Sequence, residues 1–507
     1  MKYFFVFSTF LLSIHIFAIP ESPLHLIIAP GTLAATSVTI VWDKPQHYSN
    51  ISCYHLSLNN KCIGTSMKCN YRIEGLRPAT LYTVSIKTED QTGKLSRATP
   101  SIEFTTQIQG KIINVNNFGA KGDGVTDNTK AIQQAINACP KFGTVLIPKG
   151  TFLSGALFLK SNMTLEITKG GVLKGSSNID DYLPMINNRF EGWELKSYAS
   201  LINAGIINHK GGFSIKNLSI KGEGTISGGG GKLGNSMQEK SGARSRARLI
   251  LLMNCKNIEI HGLHIENSPC WTIQYVYSKC VSIHDLDIVS TARNGDGIDP
   301  DSSDSSYIFN CTFSTGDDCI AIKSGKNPDG YYIGKPTRYV RITDCNFLRG
   351  HGIAIGSEMS GGVSDVLIRD CKAGPLLYGM QIKATKDRGG YVKNVTVMDC
   401  KLQKITISSS LPYNNDGEPA PQVPTFDNFV FKNIDLSTAQ TKGAVIDIHG
   451  FKDKNHKLNH VKFSNIVLPK DAEVSVSNAK NVQFFNVRTT TGNKPTFKIL
   501  NSTNINY

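Results

Sequence analysis

The stretch from Asn294 to Lys383 contains four short segments that resemble one another. They read Asp296-Gly297-Ile298, Asp318-Cys319-Ile320, His351-Gly352-Ile353 and Tyr378-Gly379-Met380. A second motif alternates apolar residues with other types and ends in Asn or Asp, followed by Cys or an aliphatic residue. Three copies of it are VRITDC (340–345), DVLIRDC (365–371) and NVTVMDC (394–400). Two motifs that recur together indicate a structural repeat.

The last position of the second motif recurs nine times along the chain, at intervals of 21 to 34 residues. It is occupied by Leu263, Leu286, Cys311, Cys345, Cys371, Cys400, Ile434, Ile466 and Val487. A period of this length, with alternating apolar residues and no helical periodicity, predicts a solenoid of short parallel strands. The sequence therefore predicts an all-β fold, a parallel β-helix, in which equivalent residues of neighbouring coils stack ~4.8 Å apart.

In such a solenoid the first residues of the four segments fall in one column, with Asp317 beside it. The column consists of Asp296, Asp318, His351 and Tyr378. Hydrolysis by acid and base needs one carboxyl that donates a proton and another that activates water, so the column is a candidate hydrolytic site. A single Asp-Gly motif would indicate no more than a turn. Three polar segments in register favour the site.

Four motifs in this stretch occur in the same order in a known enzyme family. NGD (294–296), GDD (316–318), GHG (350–352) and QIK (381–383) resemble the Asn-x-Asp, Gly-Asp-Asp, Gly-His-Gly and Arg-x-Lys motifs of family 28 glycoside hydrolases, the polygalacturonases. The resemblance extends from about residue 112 to about residue 500. It implies a right-handed parallel β-helix and hydrolysis of α-1,4-galacturonosidic bonds in polygalacturonate or pectin.

The resemblance also implies roles for individual residues. Asp317 is expected to protonate the glycosidic oxygen, and Asp296 with Asp318 to activate water on the opposite face, which inverts the configuration. His351 is expected to hold the protonation state of the acid by a hydrogen bond. Lys383 is expected to pair with a galacturonate carboxylate. No metal or cofactor is expected, because side chains fill every chemical role.

One position departs from the family pattern, because Gln381 stands where Arg is expected. Gln offers one neutral donor, whereas Arg would clamp a carboxylate with two hydrogen bonds. Either another cation compensates, with Arg388 or an arginine of segment 244–248 as candidates, or the substrate is a rhamnogalacturonan or a modified pectin. The predicted substrate-binding residues are therefore Asn294, Gln381, Lys383 and Arg388.

The front of the chain differs in composition from the repeat. Residues 1–18 carry Lys2 and an apolar run shorter than a membrane span, which predicts a secretory signal peptide. Residues 22–106 contain the predicted strand Ser37–Trp42 and a Leu-x-Pro turn before Tyr82, and they resemble a fibronectin type III β-sandwich. Residues 112–507 form the predicted catalytic β-helix. The protein is thus expected to be exported, secreted or periplasmic, without a membrane anchor.

The net charge of +15 and the pI of about 9.1 favour a polyanionic partner. No zinc-finger, RNA-binding or helix-turn-helix signature is present, so nucleic acid is not expected. An anionic polysaccharide fits an exported protein better. In the Gly-rich segment 228–250 no helix is expected, and an extended backbone would align Arg244, Arg246 and Arg248 on one side, facing the groove.

Two further patterns concern structure. An apolar stripe of Ala131, Ile132, Ala135 and Ile136 ends before Pro140 and predicts a helix, with Asp127 as its N-cap, that covers the first coil. Four of the twelve Cys occupy the inward position of the repeat, where buried thiols are expected. At most one disulfide is expected among Cys53, Cys62 and Cys69.

The sequence leaves other functions open. A non-catalytic polysaccharide-binding β-helix would not need the acidic column, and a pectate lyase would need calcium-binding carboxylates and an Arg base. Two long inserts, 326–338 and 408–425, are expected at the rim of the solenoid, where they close one end of the groove. We therefore expect an exo-polygalacturonase that releases mono- or digalacturonate from the non-reducing end, with an endo-polygalacturonase as the alternative.

Overall fold

The structure, a computed structural model, describes residues 19–409, 416–440 and 442–507 of the 507-residue chain. The predicted signal peptide, residues 1–18, lies outside the described residues, as does part of the 408–425 insert. The chain divides into two compact units. The first contains residues 33–107 with the described residues up to Ala29, and the second contains residues 30–32 and 108–507. Among the helices of these ranges, none has the length and apolar composition of a membrane span.

The first unit is a sandwich of two antiparallel sheets, as the resemblance to fibronectin type III domains predicts. In the described residues one sheet consists of Leu24–Ile28, Val38–Asp43 and Asn70–Ile73, and the other of Lys61–Ser66, Ile51–Leu58, Leu81–Asp90 and Ile102–Thr105. Trp42 is buried in its core, with its ring centroid 5.3 Å from that of Tyr54. The hydroxyl of Tyr82 accepts a hydrogen bond of 2.9 Å from the backbone N–H of Arg77, which closes the predicted corner.

The second unit is built from two large parallel sheets. Over the described ranges the larger sheet has 23 strands: Ile112–Asn114, Asp123–Asp127, Gly143–Ile147, Gly150–Ser154, Met163–Ile167, Gly171–Gly175, Ile215–Gly222, Thr225–Ser227, Cys255–His261, His264–Glu266, Lys279–His284, Asp287–Ser290, Asp304–Phe309, Thr312–Thr315, Thr337–Thr343, Asn346–Arg349, Val363–Arg369, Lys372–Ala373, Tyr391–Lys401, Thr425–Asp435, Leu458–Leu468, Ala479–Thr489 and Thr503–Asn506. Each coil hydrogen-bonds to the next, which confirms the predicted parallel β-helix.

The smaller sheet contains the four similar segments of the stretch from Asn294 to Lys383. In the part of the chain that the structure describes it has 12 strands: Leu157–Leu159, Ile202–Gly205, Ile250–Met253, Ile273–Val276, Ile298–Asp301, Ile320–Ile322, Gly352–Ile355, Gly379–Lys383, Lys404–Ser408, Ile446–His449, Glu473–Ser477 and Thr496–Leu500. A separate antiparallel pair, Ile186–Phe190 with Trp193–Ser197, forms the 186–197 hairpin. The sequence prediction missed this hairpin.

The recurring position of the repeat points into the core, as predicted. Cys400 pairs with Ile434, Ile434 with Ile466 and Ile466 with Val487, and all nine positions are buried. The residues just before the four ladder cysteines adopt a left-handed backbone with φ of 54° to 56°: Asn310, Asp344, Asp370 and Asp399. Asn and Asp adopt this conformation more readily than other non-glycine residues, which explains the end of the motif. All twelve cysteines lie within the described residues and are free thiols.

The strand register brings the four segments together. Ile298 pairs with Ile320, Ile320 with Ile353 and Ile353 with Met380. Asp296, Asp318, His351 and Tyr378 each precede one of these residues by two positions, so they form a column at the start of four neighbouring strands. The predicted column therefore matches the register of the smaller sheet.

The helices agree with the sequence only in part. The described helices are Thr129–Ala138, Gly230–Ser241 and Asp329–Ile333, with 3-10 turns at Val115–Phe118, Ile179–Tyr182, Ala243–Ser245 and Lys386–Arg388. The predicted helix buries Ile132, Ala135 and Ile136 and ends before Pro140. Its N-cap is Asn128 and not Asp127, although Asp127 accepts a hydrogen bond of 2.9 Å from the N–H of Thr129.

The expectation that the Gly-rich segment is extended was wrong. Residues Gly230–Ser241 form a helix, because Leu233 and Met237, four positions apart, bury one face against the core of the β-helix. A 3-10 turn at Ala243–Ser245 follows, and Arg244 lies within it. The three arginines of this segment therefore do not share one side of an extended strand.

Candidate active site

Asp296 and Asp318 of the column, together with the adjacent Asp317, border a small cavity in the second unit. His351 and Tyr378 are not among the described residues that line it. The described lining includes five carboxylate side chains and two lysines: Glu191, Asp296, Asp317, Asp318, Glu358, Lys323 and Lys383. The side chains of Asp296 and Asp318 are each 4% exposed, whereas that of Asp317 is 24% exposed. Asp317 is therefore the acid of the column that a ligand in the cavity reaches most readily.

His351 joins the two adjacent acids. Its Nδ1 lies 3.0 Å from Asp317 Oδ1 and 3.4 Å from Asp318 Oδ1. Hydrogen bonds to Asp317 and then to Asp318 outweigh the effect of burial and raise the pKa of His351 to about 9. The imidazole is thus a cation at neutral pH. Asp317 also accepts hydrogen bonds from Asn294 Nδ2 at 3.3 Å and from the backbone N–H of Asp318 at 3.0 Å.

Asp318 is held in its ionised form. Its Oδ2 accepts a hydrogen bond of 3.0 Å from the ammonium of Lys383. Burial alone would raise the pKa of Asp318, but the charge of Lys383, the hydrogen bond from His351 and the charge of Lys323 together lower it below the usual range. Lys383 lines the cavity, and its ammonium faces Asp318.

A buried lysine that the sequence prediction missed lies at the centre of a second group of acids. Lys323 Nζ lies 3.5 Å from Asp296 Oδ2, 3.5 Å from Asp299 Oδ1 and 3.4 Å from Glu358 Oε2. It also lies 4.6 Å from the ring centroid of Trp271. Asp299 directly follows the inward-facing Ile298, and Lys323 directly follows the inward-facing Ile322. This alternation in the sequence could have identified both residues as neighbours of the column.

Burial and nearby charge keep a proton in this second group. Burial, with the charges of Asp299 and Asp317, raises the pKa of Asp296 well above its usual value despite Lys323. Burial likewise raises the pKa of Asp299 to about 7, although Lys323 and a hydrogen bond from Asp296 oppose the rise. Lys323 lowers the pKa of Glu358 to about 2 against the effect of burial. The raised pKa values favour the protonated forms of Asp296 and Asp299, whereas the lowered pKa of Glu358 favours its carboxylate.

The 186–197 hairpin forms a wall beside the acids. Its residues Phe190 and Glu191 line the cavity. The hairpin is anchored to the β-helix by Arg189, which is fully buried and whose Nη1 donates a hydrogen bond of 2.9 Å to Asp301 Oδ1. A wall that is tied to the strand following Asp296 keeps a fixed position relative to the column.

The two predicted rim inserts meet the tip of this hairpin. The Nε1 of Trp193 donates a hydrogen bond of 2.9 Å to the carbonyl of Asn327, in the 326–338 insert. The cations of Arg244 and Lys326 each lie 4.5 Å from the ring centroid of Trp193. Asp416, in the described part of the 408–425 insert, is ion-paired with both cations. The hairpin tip, the 326–338 insert and the described part of the 408–425 insert are therefore joined around Trp193, and we call this group the barrier.

Two predicted substrate-binding residues occupy other places. Gln381 is buried on the strand Gly379–Lys383 and is not among the described residues that line the cavity. Arg388 is fully buried, and it donates a hydrogen bond of 2.9 Å to the carbonyl of Ser357 and one of 2.7 Å to Asn327 Oδ1. Contrary to expectation, Arg388 supports the cavity wall and the 326–338 insert and is not presented to a ligand.

The arginines of segment 244–248 also differ from expectation. Arg248 is fully buried, and its Nε donates a hydrogen bond of 2.8 Å to Gln274 Oε1. Arg246 comes nearest to the site, since its Nη2 donates a hydrogen bond of 3.1 Å to Asn294 Oδ1. Arg244 belongs to the barrier. None of the three lines the cavity among the residues described.

The donor atoms of Asp317, Asp318 and His351 lie within 4.8 Å of one another, so this group has the spacing of a cation site. An imidazole ligates a metal only in its neutral form. Because the pKa of His351 is raised to about 9, a cation would have to displace its proton at neutral pH. The same spacing serves proton transfer without a metal.

Comparisons with known proteins agree on one family. Residues 140–484 match the profile of Glycosyl hydrolases family 28, and residues 22–105 match that of the Fibronectin type III domain. The exo-poly-alpha-D-galacturonosidase of Dickeya chrysanthemi is 28% identical over 93% of this chain and 91% of that protein. The structure is similar to the family 28 exopolygalacturonase of Yersinia enterocolitica, with a TM-score of 0.84, 25% identity and coverage of 95% of this chain and 99% of that chain.

A second solved structure is similar over the β-helix. The exopolygalacturonase of Thermotoga maritima superposes with a TM-score of 0.63 and 28% identity, covering 78% of this chain and 93% of that chain. The family match spans more than half of the chain, and residues from three of the four family motifs line one cavity, with His351 of the fourth in contact with two of its acids. The chain therefore belongs to the Glycosyl hydrolases family 28.

Proposed function

We propose that the protein is an exo-polygalacturonase, which hydrolyses α-1,4-galacturonosidic bonds of polygalacturonate and releases mono- or digalacturonate from the non-reducing end. The observation that carries the proposal is an accessible acid and an ionised buried acid, Asp317 and Asp318, which line one cavity and are both contacted by the imidazolium of His351. Membership of family 28 supports it, and so do the names of the relatives from Dickeya, Yersinia and Thermotoga, which are all exo-acting.

In this proposal Asp317 donates its proton to the glycosidic oxygen as the bond to the anomeric carbon breaks. Water attacks that carbon from the opposite face and loses a proton to Asp318, which Lys383 and His351 keep ionised. The carboxylate left on Asp317 is stabilised by His351 at 3.0 Å. No covalent intermediate forms, so the configuration inverts.

Asp296 has a more limited role than the resemblance implies. Burial and the charges of Asp299 and Asp317 raise its pKa, which favours its neutral form, and a neutral carboxyl can still hydrogen-bond to the attacking water. We therefore assign Asp296 to orienting the water and Asp318 to removing the proton. Only one of the two acids needs to be ionised for the step.

The polymer is held by charge. Lys383 lines the cavity and is the cation we assign to the carboxylate of the reacting galacturonate, which it shares with Asp318. The net charge of +15 attracts the polyanion at longer range. Since Gln381 is not among the described lining residues, its replacement of Arg does not argue for a rhamnogalacturonan substrate.

The exo mode is supported by the barrier beside the acids. An endo-acting enzyme needs a groove that is open at both ends, so that a polymer can pass through it. Here the ion pairs of Asp416 with Arg244 and Lys326 join the two inserts to the tip of the hairpin, and the hairpin residue Phe190 lines the cavity. A chain end fits against such a barrier, whereas the middle of a chain does not.

Two measurements on one digest test the proposal. Reducing ends and viscosity are followed together on polygalacturonate, and products are separated by anion-exchange chromatography. We expect monomer or dimer from the start, with little loss of viscosity while reducing ends accumulate. A ladder of oligomers with an early fall in viscosity would contradict the exo mode, and products that absorb in the ultraviolet would indicate a lyase.

We also propose that the protein is exported and acts on polymer outside the cytoplasm. The apolar run of residues 1–18 supports this, as does the polymeric substrate, which is too large to enter a cell freely. Expression of the whole chain, followed by fractionation and sequencing of the mature N-terminus, tests it. Recovery of the full-length chain in the cytoplasmic fraction alone would argue against export.

A further inference from the structure

Three side chains of metal-binding types converge on one face of the first unit. Cys53, His55 and Glu89 present donor atoms that all lie within 4.8 Å of one another. Cys53 Sγ lies 3.4 Å from Glu89 Oε2, and His55 Nε2 is hydrogen-bonded to the same oxygen. The site is separate from the hydrolytic column, and no part of the proposed function uses it.

The sheet, and not a loop, sets this arrangement. On the strand Ile51–Leu58 the side chains of Tyr54 and Leu56 point into the core, so Cys53 and His55 share the opposite face. Glu89 lies directly across from Cys53 in the antiparallel register with the neighbouring strand. The three donor atoms therefore lie close together, because Cys53 and His55 are two positions apart on one strand and Glu89 is opposite Cys53 on the next.

The donor set selects the metal. Zinc binds Cys sulfur at about 2.3 Å and His nitrogen or carboxylate oxygen at about 2.0–2.2 Å in a tetrahedron, which puts neighbouring donors about 3.3–3.6 Å apart. The observed separation of 3.4 Å between sulfur and oxygen is close to that edge, whereas His55 Nε2 and Glu89 Oε2 are closer together and would move apart when the metal binds. Calcium and magnesium take oxygen donors, so a thiolate and an imidazole exclude them as preferred occupants. We propose that Cys53, His55 and Glu89 form a Zn²⁺ site.

The exposure of the site leaves room for a fourth ligand. The side chains of His55 and Glu89 are 29% and 27% exposed, so water reaches the open position of the tetrahedron. The metal would join two central strands of the four-stranded sheet, Ile51–Leu58 and Leu81–Asp90, through their side chains. The expected consequence is a first unit that resists unfolding better when zinc is bound.

Binding must also release a proton. A cysteine thiol ordinarily carries its proton at neutral pH, so the metal-free site holds a thiol and not a thiolate. Zinc takes the thiolate form and therefore displaces that proton. Apparent affinity should rise with pH over the range in which the protein stays folded.

The test uses the full-length protein, kept reduced with a phosphine, and titrates it with Zn²⁺ and separately with Co²⁺. The Asp317, Asp318 and His351 group also has the spacing of a cation site, but it contains no sulfur. The diagnostic signal is therefore the thiolate-to-cobalt charge-transfer band in the near ultraviolet. We expect this band at one cobalt per chain, and its loss on addition of zinc.

Variants at the three ligands identify the site, and a fourth thiol provides the control. Cys53→Ser should abolish the band, and His55→Gln and Glu89→Gln should each weaken zinc binding at least tenfold. Cys62→Ser removes an exposed thiol on the adjacent strand Lys61–Ser66 and should leave both signals unchanged. Circular dichroism checks that each variant is folded.

The outcomes separate the alternatives without relying on any single variant. Absence of the band in the natural protein would overturn the proposal, whatever the variants do. A band that persists in Cys53→Ser, or that disappears in Cys62→Ser, would assign the metal to another thiol and also overturn it. Unchanged zinc affinity in both His55→Gln and Glu89→Gln would mean that the Cys53 thiol binds metal without the other two ligands, and this would also overturn the proposal.

Discussion

Replacement of Lys323 by Met tests the electrostatic core of the site. The ammonium lies 3.4 to 3.5 Å from three buried carboxylates, those of Asp296, Asp299 and Glu358, and its side chain is 5% exposed. Met is similar in length and apolar, so the change removes the charge with little change in volume. Removing one partner of a buried ion pair costs about 3–5 kcal/mol. We expect that loss in the free energy of unfolding at pH 8.

The loss should be smaller at pH 5. Asp299 has a pKa of about 7, so at pH 5 it already carries a proton and loses little when Lys323 is removed, and the raised pKa of Asp296 acts in the same direction. Without the cation the pKa values of the cluster rise further. A raised carboxyl pKa destabilises the folded state increasingly as pH rises above the unfolded value, by about 1.4 kcal/mol per unit. We expect the loss at pH 5 to be about 1–2 kcal/mol smaller than at pH 8.

Urea unfolding at both pH values measures these losses. Trp193 and Trp271 report on the second unit by fluorescence and Trp42 on the first, so the transition that Lys323→Met shifts is the one assigned to the second unit. Lys279→Met is the matched control, because Lys279 is 44% exposed and 3.7 Å from Asp304, a pair for which about 0–1 kcal/mol is expected. A loss below about 1 kcal/mol for Lys323→Met, or an equal loss at both pH values, would refute the reasoning.

The remaining predictions concern the column. Asp317→Asn should lower turnover at least about 100-fold while oligogalacturonate binding and folding stay unchanged, and activity above a few per cent of the natural enzyme would contradict the acid role. Lys383→Met should raise KM, and the increase should be largest at low salt. Because the substitution also raises the pKa of Asp318, the acid limb of the kcat profile should move to higher pH. An unchanged KM at low salt would show that Lys383 does not bind substrate. His351 has a folded pKa of about 9 against an ordinary 6.5, so its stabilisation is complete below pH 6.5 and is lost as pH rises through 9. That loss, at most about 3 kcal/mol, should be absent from the unfolding profile of His351→Gln, and equal profiles would contradict it.

Periodic and local features of the molecule were predictable from the sequence. A parallel β-helix buries one position per coil, so the spacing of Cys311, Cys345 and Cys371 indicates both the fold and the inward face. The column followed from the same register, because Ile298 and Ile320 align only if Asp296 and Asp318 do. Each of these features depends on residues that lie close in sequence or one coil apart.

What the sequence left undecided depends on contacts between distant residues. The helix at Gly230–Ser241 was missed because its apolar stripe is short and only packing against the β-helix stabilises it. Arg388 was predicted to bind substrate from its charge and position, but burial against Ser357 and Asn327 uses its hydrogen bonds inside the wall. Charge in a sequence does not reveal whether a side chain meets water or another residue.

The sequence by itself determined the coils of the β-helix, their register and the proximity of the three acids to His351. All of these depend on alternation along strands and on one repeated spacing. Tertiary structure alone decided the buried cluster of charges in the site and the contacts that join the hairpin to the two inserts. Lys323 acts on Asp296 and Glu358 because the three meet in a buried place where charges are poorly screened, and burial is not visible in sequence. The barrier depends on Trp193 and Asp416, more than 200 residues apart, which both contact Arg244 only once the coils between them are stacked.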